Sequence, residues 1–195
     1  MSKISPLAFI DPEAKIGENC EIGPFCFIDK NVEIGDNNVL MNSVSVLYGA
    51  RIGNGNVIFP GAVISAVPQD LKFRGEDTTA EVGDNNKIRE NVTINRGTAA
   101  KGKTCVGSGN LLMESVHVAH DAFVGNDCII GNGTKLAGEI IIDDHAIISA
   151  NVLMHQFCRV GGYTMVGGGT RFSQDIPPYT ICAREPVAYC GLNLV

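Results

Sequence analysis

Counted from Ile4, every sixth residue of this chain is apolar. The run Ile4, Ile10, Ile16, Ile22, Ile28, Ile34, Leu40, Val46, Ile52, Ile58 and Ile64 resumes in the same phase at Val82, Ile88 and Ile94, then holds from position 106 to position 172. That gives twenty-six apolar residues at twenty-six scored positions, in a chain that is 45% hydrophobic. A helix repeats at about 3.6 and a strand at 2, so neither accounts for six. A hexapeptide unit of short strand, turn and next short strand does. Three such units close a triangular coil of eighteen residues with the large aliphatic side chain inside. Four places after it comes a smaller residue, such as Ala14, Cys20, Cys26, Val44, Ala62, Ala122, Cys128 or Cys158, expected near a corner. Coils stacked through parallel backbone hydrogen bonds rise by roughly 4.8 Å, so residues eighteen apart lie over one another.

Composition removes several function classes. The net charge is −6 and the pI about 5.1, whereas a phosphate-binding face must be basic, so nucleic acid is not an expected partner. No apolar run reaches the length of a transmembrane helix, and "MSKISPLAF" carries no secretion signature. These features predict a cytoplasmic protein. The seven cysteines are an odd number without a CxxC pair, and four of them fall on the small interior position. They are expected to pack rather than to form a disulfide framework.

Two segments lose the hydrophobic score without losing its phase. They are 65–81, "SAVPQDLKFRGEDTTAE", and 97–103, "GTAAKGK". Loops that leave a solenoid and return in register cost ordering entropy and tend to carry function. The repeat therefore predicts a prism over 1–176 with an excursion loop at 65–81. An exit segment follows at 177–195, where "PPYTICAREPVAYCGLNLV" ends the pattern.

The chemistry concentrates in "ESVHVAHDAFVG", residues 114–125. His120 and Asp121 are the third and fourth residues of their hexad, outward or corner positions rather than core. Eighteen residues on, Gly138 should stack over His120 and Glu139 over Asp121. Gln156, preceded by His155, lies a further coil along. An imidazole oriented by a carboxylate suits a general base. A glycine above it leaves room for a ligand and offers its N–H to an oxyanion. No serine sits in a nucleophile-elbow setting, which favours direct transfer from an activated donor.

The segments "SVHVAHDAFVGNDCIIGN", "LAGEIIIDDHAII", "HQFCRVGG", "SQDIPPY" and "PQDLKFRGEDT" resemble the UDP-N-acetylglucosamine O-acyltransferases of the hexapeptide-repeat superfamily, over nearly the whole chain. The resemblance implies an all-β fold, a left-handed parallel β-helix, and assembly as a homotrimer with sites between neighbouring prisms. The implied reaction moves a 3-hydroxyacyl chain from acyl carrier protein to the 3-hydroxyl of UDP-N-acetylglucosamine. This is the first step of lipid A biosynthesis, and it uses no cofactor and no metal. His120 would be the base, Asp121 its orienting partner and Gly138 the oxyanion donor. Gln69, Asp70, Lys72, His117, His155, Gln156 and Asn193 would bind substrate, and Gly168 would bear on acyl length. Arg74, Arg89, Arg96, Lys101 and Lys103 are expected to help dock the acidic carrier protein. The family continues into a helical C-terminal domain, which is expected to begin where this chain ends.

The chain has Glu139 and Asn95 where the family often has basic residues. A sibling N-acyltransferase acting on a 3-amino or later sugar nucleotide therefore stays open. So do a zinc site built on His117, His120 and His155, and a non-catalytic β-helix that binds partners. His145 reads as structural, on a different face from Asp121.

Overall fold

The computed structural model describes residues 2–194, and these contain strands and turns but no helix. Twenty-eight short strands among the described residues form three sheets, here numbered sheets 1, 2 and 3, of eleven, nine and eight strands. Successive strands fall in sheets 1, 2 and 3 in turn, so each coil contributes one strand to each side of a triangular prism. Ladder partners are parallel throughout the prism. Lys3 faces Glu21 in sheet 1, Phe9 faces Phe27 in sheet 2 and Lys15 faces Glu33 in sheet 3, each eighteen residues apart.

The sixfold series is the core. Ile28, Ile58, Ile64, Ile88, Ile94, Leu112, Ile130, Leu136, Ile142 and Ile148 are fully buried, and each buried aliphatic side chain is worth about 1.5–3 kcal/mol of transfer free energy. Cys20, Cys26, Cys128 and Cys158 are buried free thiols at the small position. Burial pushes the Cys128 thiol up to about 11, so it packs as a small apolar group. The fourth residue of the hexad turns most corners in the left-handed conformation. Asn19, Asn31, Asn37, Asn85, Asn91, Asp127 and Asn151 all have φ between 53° and 58°, a region that asparagine and aspartate tolerate better than most residues.

The two excursions keep the phase because of their lengths. Val57 pairs with Lys87, thirty residues on, and Lys87 with Leu111, twenty-four on. The insertions are thus twelve and six residues, whole hexads. Strands Val63–Ala66 and Thr79–Val82 bound the first excursion at 67–78, inside the 65–81 of the hydrophobic gap. Strands Thr93–Asn95 and Lys103–Val106 bound the second at 96–102. Both leave sheet 2 and return to sheet 3, so both project from one vertical edge of the prism. Beyond Phe172, Ile176 still bridges Val160. Strand Thr180–Ala183 then extends sheet 1 in parallel with Met165 and Val166, and Ala188–Leu192 folds back on it antiparallel. No helix among the described residues is long and apolar enough to cross a membrane.

Candidate active site

The edge between sheets 2 and 3 carries the predicted centre. Strand His117–Val118 ends sheet 2, the chain turns at Ala119–Ala122, and strand Phe123–Val124 opens sheet 3. Asp121 turns this corner at φ 60°, and its N–H donates to Thr104 Oγ1 at 2.8 Å. Its carboxylate lies 2.8 Å from His120 Nδ1 through Oδ2. The Thr98 hydroxyl donates to the same oxygen at 2.6 Å, and the Thr98 N–H donates to Oδ1 at 2.9 Å. Burial alone would raise the Asp121 pKa. The donors from Thr98 and His120 outweigh it and hold the carboxyl below its ordinary value. An ionised carboxylate can only accept, so His120 Nδ1 carries a proton, and in the neutral ring Nε2 then keeps its lone pair.

Gly138 stands over that ring. A Cβ there would lie 2.6 Å from His120 Cε1 and 2.7 Å from Nε2, so no other residue fits without displacing the imidazole. Glu139 N–H donates to His120 O at 3.0 Å, which fixes the stacking, while the Gly138 N–H meets no acceptor among the described residues. The His120 ring and an amide without an acceptor are thus stacked on one corner, the two kinds of group that a proton abstraction coupled to carbonyl attack requires.

Exposure differs from the sequence expectation. His120 is 7% and Asp121 1% exposed, not outward in the sense the hexad position suggests. The reason is the second excursion. Residues 96–102 fold across the corner, and Lys101 Nζ reaches Asp121 O at 3.4 Å and Glu139 Oε2 at 4.0 Å. The hexad frame places a residue on the outside of the coil, but it says nothing about what an inserted loop lays over it. Thr98 and Thr104 escaped sequence reasoning, and Lys101, expected only to help dock the carrier protein, was not placed at this corner. The available signal was positional, since a six-residue insertion leaves from the same edge, one coil before His120.

The other predicted residues divide by edge. His117 lies on sheet 2, aligned with Thr93 and Lys135. Its Nδ1 is 2.7 Å from Thr93 Oγ1. Burial first, then the charges of Lys135 and His120, holds it below its ordinary pKa. His155 and Gln156 are exposed, further along the His120 edge. His155 borders a cavity of about 640 Å³ with Arg171, Phe172 and Glu185. Gln69, Asp70 and Lys72 ride the first excursion, where Asp70 Oδ1 accepts the Lys72 N–H at 2.9 Å. That loop is tied to the same edge by Asn95 Nδ2, which donates to Val67 O at 3.1 Å, and by Arg96, whose guanidinium lies 5.3 Å from the Phe73 ring. Among the described residues no hydrogen bond or ion pair joins these three side chains to His120. Gly168 turns the edge between sheets 1 and 2, and Asn193 Nδ2 donates to Tyr163 O on the edge between sheets 3 and 1. Within one chain neither meets His120.

The expected basic cluster does not form one group, although Lys101 and Lys103 line one cavity. Arg89 pairs with Glu90 and covers Phe59, Lys103 pairs with Glu81, and Arg74 bonds carbonyls of its own loop. His145 stacks on Tyr163 at 4.6 Å, away from the site.

A triangular parallel prism with a histidine–aspartate pair under an open glycine amide defines a hexapeptide-repeat acyltransferase. No protein-family model matches the chain. It is 44% identical, over all 195 residues and 75% of the relative, to an acyl-[acyl-carrier-protein]–UDP-N-acetylglucosamine O-acyltransferase of Aliarcobacter butzleri (strain RM4018). The crystal structure of a UDP-N-acetylglucosamine acyltransferase from Bacteroides fragilis 9343 superposes with a TM-score of 0.96 at 73% identity, covering 98% of this chain and 75% of that one. A structure from Acinetobacter baumannii does so with a TM-score of 0.96 at 40% identity, covering 98% and 74%. The chain belongs to the acyl-[acyl-carrier-protein]–UDP-N-acetylglucosamine O-acyltransferase family, and its β-helix is the left-handed one of those structures.

Proposed function

We propose that this chain transfers a 3-hydroxyacyl group from acyl carrier protein to the 3-hydroxyl of UDP-N-acetylglucosamine, the opening step of lipid A biosynthesis, with His120 as general base. The observation that carries the mechanism is the free Nε2 of His120 beside the unpaired amide of Gly138. In this reading Nε2 takes the proton of the sugar hydroxyl as its oxygen attacks the thioester carbonyl. Asp121 holds the resulting imidazolium. The Gly138 N–H receives the oxyanion. Collapse of the tetrahedral adduct breaks the carbon–sulfur bond, and the imidazolium returns its proton to the departing thiolate. No cofactor takes part.

A cavity of about 410 Å³ opens beside Asp121, with Phe123 and Ile141 on its floor and Lys101, Lys103 and Arg159 around it. That combination suits an acyl chain on an anionic carrier arm. Gln69, Asp70, Lys72, His117, His155 and Gln156 contact the nucleotide sugar and donor in this reading, and Gly168 bears on chain length. Assembly as a homotrimer would let Gly168 and Asn193, on the other two edges of one prism, serve a neighbour's His120. The enzyme works in the cytoplasm, where carrier protein and nucleotide sugar are both at hand.

The test incubates the protein with UDP-N-acetylglucosamine and 3-hydroxyacyl carrier protein and follows the O-acylated sugar nucleotide by mass. His120→Ala should lower kcat by about 10²–10⁴, the usual worth of a positioned base, with the fold retained. Near-normal turnover in that variant sinks the mechanism.

A further inference from the structure

The second excursion has no packing task that its sequence explains. Six added residues interrupt a regular coil, and they bury two polar side chains, Thr98 and Asp121, against each other. The contact is directional at every step. Ala100 N–H donates to Thr98 Oγ1 at 3.2 Å, which occupies a lone pair of the hydroxyl. The hydroxyl proton then points to Asp121 Oδ2, 2.6 Å away, the oxygen that also receives His120 Nδ1–H. The Thr98 amide holds the other carboxylate oxygen. The two bonds from one residue fix both the position and the plane of the carboxylate. Asp121 itself turns a corner at φ 60°, and among the described residues only Thr98 and His120 bond its carboxylate.

We infer that Thr98 is a positioning residue for catalysis: its hydroxyl and amide clamp Asp121 so that the His120 ring lies flat beneath Gly138 with Nε2 facing the acceptor hydroxyl. This rests on the proposed role of His120. It extends the working unit from a pair to a three-residue relay of hydrogen bonds, Thr98 to Asp121 to His120, and gives the 96–102 insertion a function. A ring that rotates away from Gly138 keeps its basicity but loses its alignment with the amide, and misplacement by about 1 Å can cost a hundredfold in rate.

The experiment compares wild type, Thr98→Val, Thr98→Ser and His120→Ala, each assayed for kcat and for KM toward both substrates, with thermal unfolding alongside. Valine keeps the volume and the backbone amide but removes the hydroxyl. We expect Thr98→Val to lower kcat about ten- to a hundredfold, as for loss of a hydrogen bond to a charged group, with both KM values within about twofold. Thr98→Ser should recover most of the loss. The acid limb of the kcat/KM profile should move upward in Thr98→Val, because a carboxylate deprived of one donor holds the protonated imidazole more strongly. Wild-type kcat in Thr98→Val beside an inactive His120→Ala overturns the inference alone. So does a raised KM with unchanged kcat, or an equal loss in the serine variant. An active His120→Ala removes the catalytic reading and this inference together. If Thr98→Val does not fold, Thr98→Ala and the chemical shift of the His120 Nδ1 proton decide the question, since a displaced clamp weakens that hydrogen bond.

Discussion

Two edges of the prism are built from the same backbone and end in opposite chemistry. On the edge between sheets 3 and 1, the third residue of most hexads reaches to the preceding coil and caps its amide, Gly162 being an exception. Asp36, Asn54, Asp84, Asn126 and Asp144 accept from Glu18, Asp36, Asn54, Ser108 and Asn126 at 2.6–2.8 Å. Just inside runs a buried asparagine ladder. Asn56 and Asn86 donate to the Oδ1 of Asn38 and Asn56 at 3.0 Å, and Asn86 Oδ1 accepts the Asn110 N–H at 2.8 Å. The capping oxygens of this corner are spent on the protein's own amides. On the edge between sheets 2 and 3 the same hexad positions hold Arg96, His120, Gly138 and Gln156. Gly138 has no side chain to cap the His120 amide, and Gln156 does not cap Gly138. The same turn is a closed seam in one place and an open row of donors in the other, and the side chain at one position in six decides which. In the proposed mechanism catalysis needs an unfinished corner, because a satisfied amide has nothing to offer an oxyanion.

The largest effect should come from closing the gap directly. Gly138→Ala places a methyl against the imidazole, and Gly138 does not have the positive φ that would strain an alanine backbone. Its kcat should fall by about 10²–10³, because the methyl displaces the ring from its place beneath the amide, with a thermal midpoint close to wild type. Stopped-time assays and differential scanning calorimetry on the same preparation separate the two quantities. A variant that keeps its rate would mean that the amide and the ring do not face one substrate.

The seam should respond in the opposite way. Asn56→Ala leaves the N–H and Nδ2 of Asn86 without their acceptor in a fully buried place. It should cost about 2–4 kcal/mol of stability, since each buried unsatisfied donor costs about 1–3 kcal/mol. Turnover per folded molecule should not change. Urea unfolding provides the first number and an activity assay below the transition the second. A loss of kcat without a loss of stability would show that the two edges are not independent.

How much of this was legible follows from what the repeat forces. The interior position admits only an apolar side chain, so Ile4 to Phe172 betray the coil. The excursions are whole hexads, so the phase survives them and the stacking of Gly138 on His120 can be counted out by hand. Asp121 is harder. Its position is the left-handed corner that Asn31, Asn91 and Asp127 fill for backbone reasons alone, so spacing cannot tell a turn aspartate from a catalytic partner. Thr98 was illegible because 96–102 lies outside the period, and its reach over the corner depends on how a loop folds back. The spatial grouping of the basic residues was illegible for a related reason. Sequence proximity put Arg89 and Lys103 together, while the prism sends one to the sheet 1 strand and the other to sheet 3.

A smaller change should convert one edge toward the other. Gln156→Asn shortens the third-position side chain to the length that Asn54 and Asn126 use on the seam. If that amide oxygen reaches the Gly138 N–H, the oxyanion donor is occupied by the protein itself. The expected result is a kcat about tenfold lower, close to the 1.4 kcal/mol of one net hydrogen bond, with a thermal midpoint equal to or slightly above wild type. A raised KM with unaltered kcat would mean that position 156 only contacts substrate and that a seam cannot be rebuilt at this corner.

The smallest effect is in pH, and it also distinguishes the open edge from the seam. His117 is held below its ordinary value of 6.5 by burial first, then by electrostatic interaction with Lys135 and His120. As pH falls below 6.5 the unfolded chain takes up a proton there while the folded chain still resists, so the unfolded state binds more protons and stability falls. The stabilisation is complete above 6.5 and is lost until the folded imidazole is also protonated. Asp121 behaves with the same sign in a lower window. Its depressed carboxyl supports the fold above its ordinary value of 3.8 and stops doing so as pH falls through the folded pKa. His117→Asn keeps a polar partner for Thr93 without a titration. It should flatten the dependence of the urea midpoint on pH just below 6.5 and leave the steeper acid limb of Asp121 in place. An unchanged slope in that variant would assign the neutral-range dependence to another group and leave His117 as a packing residue of the sheet 2 face.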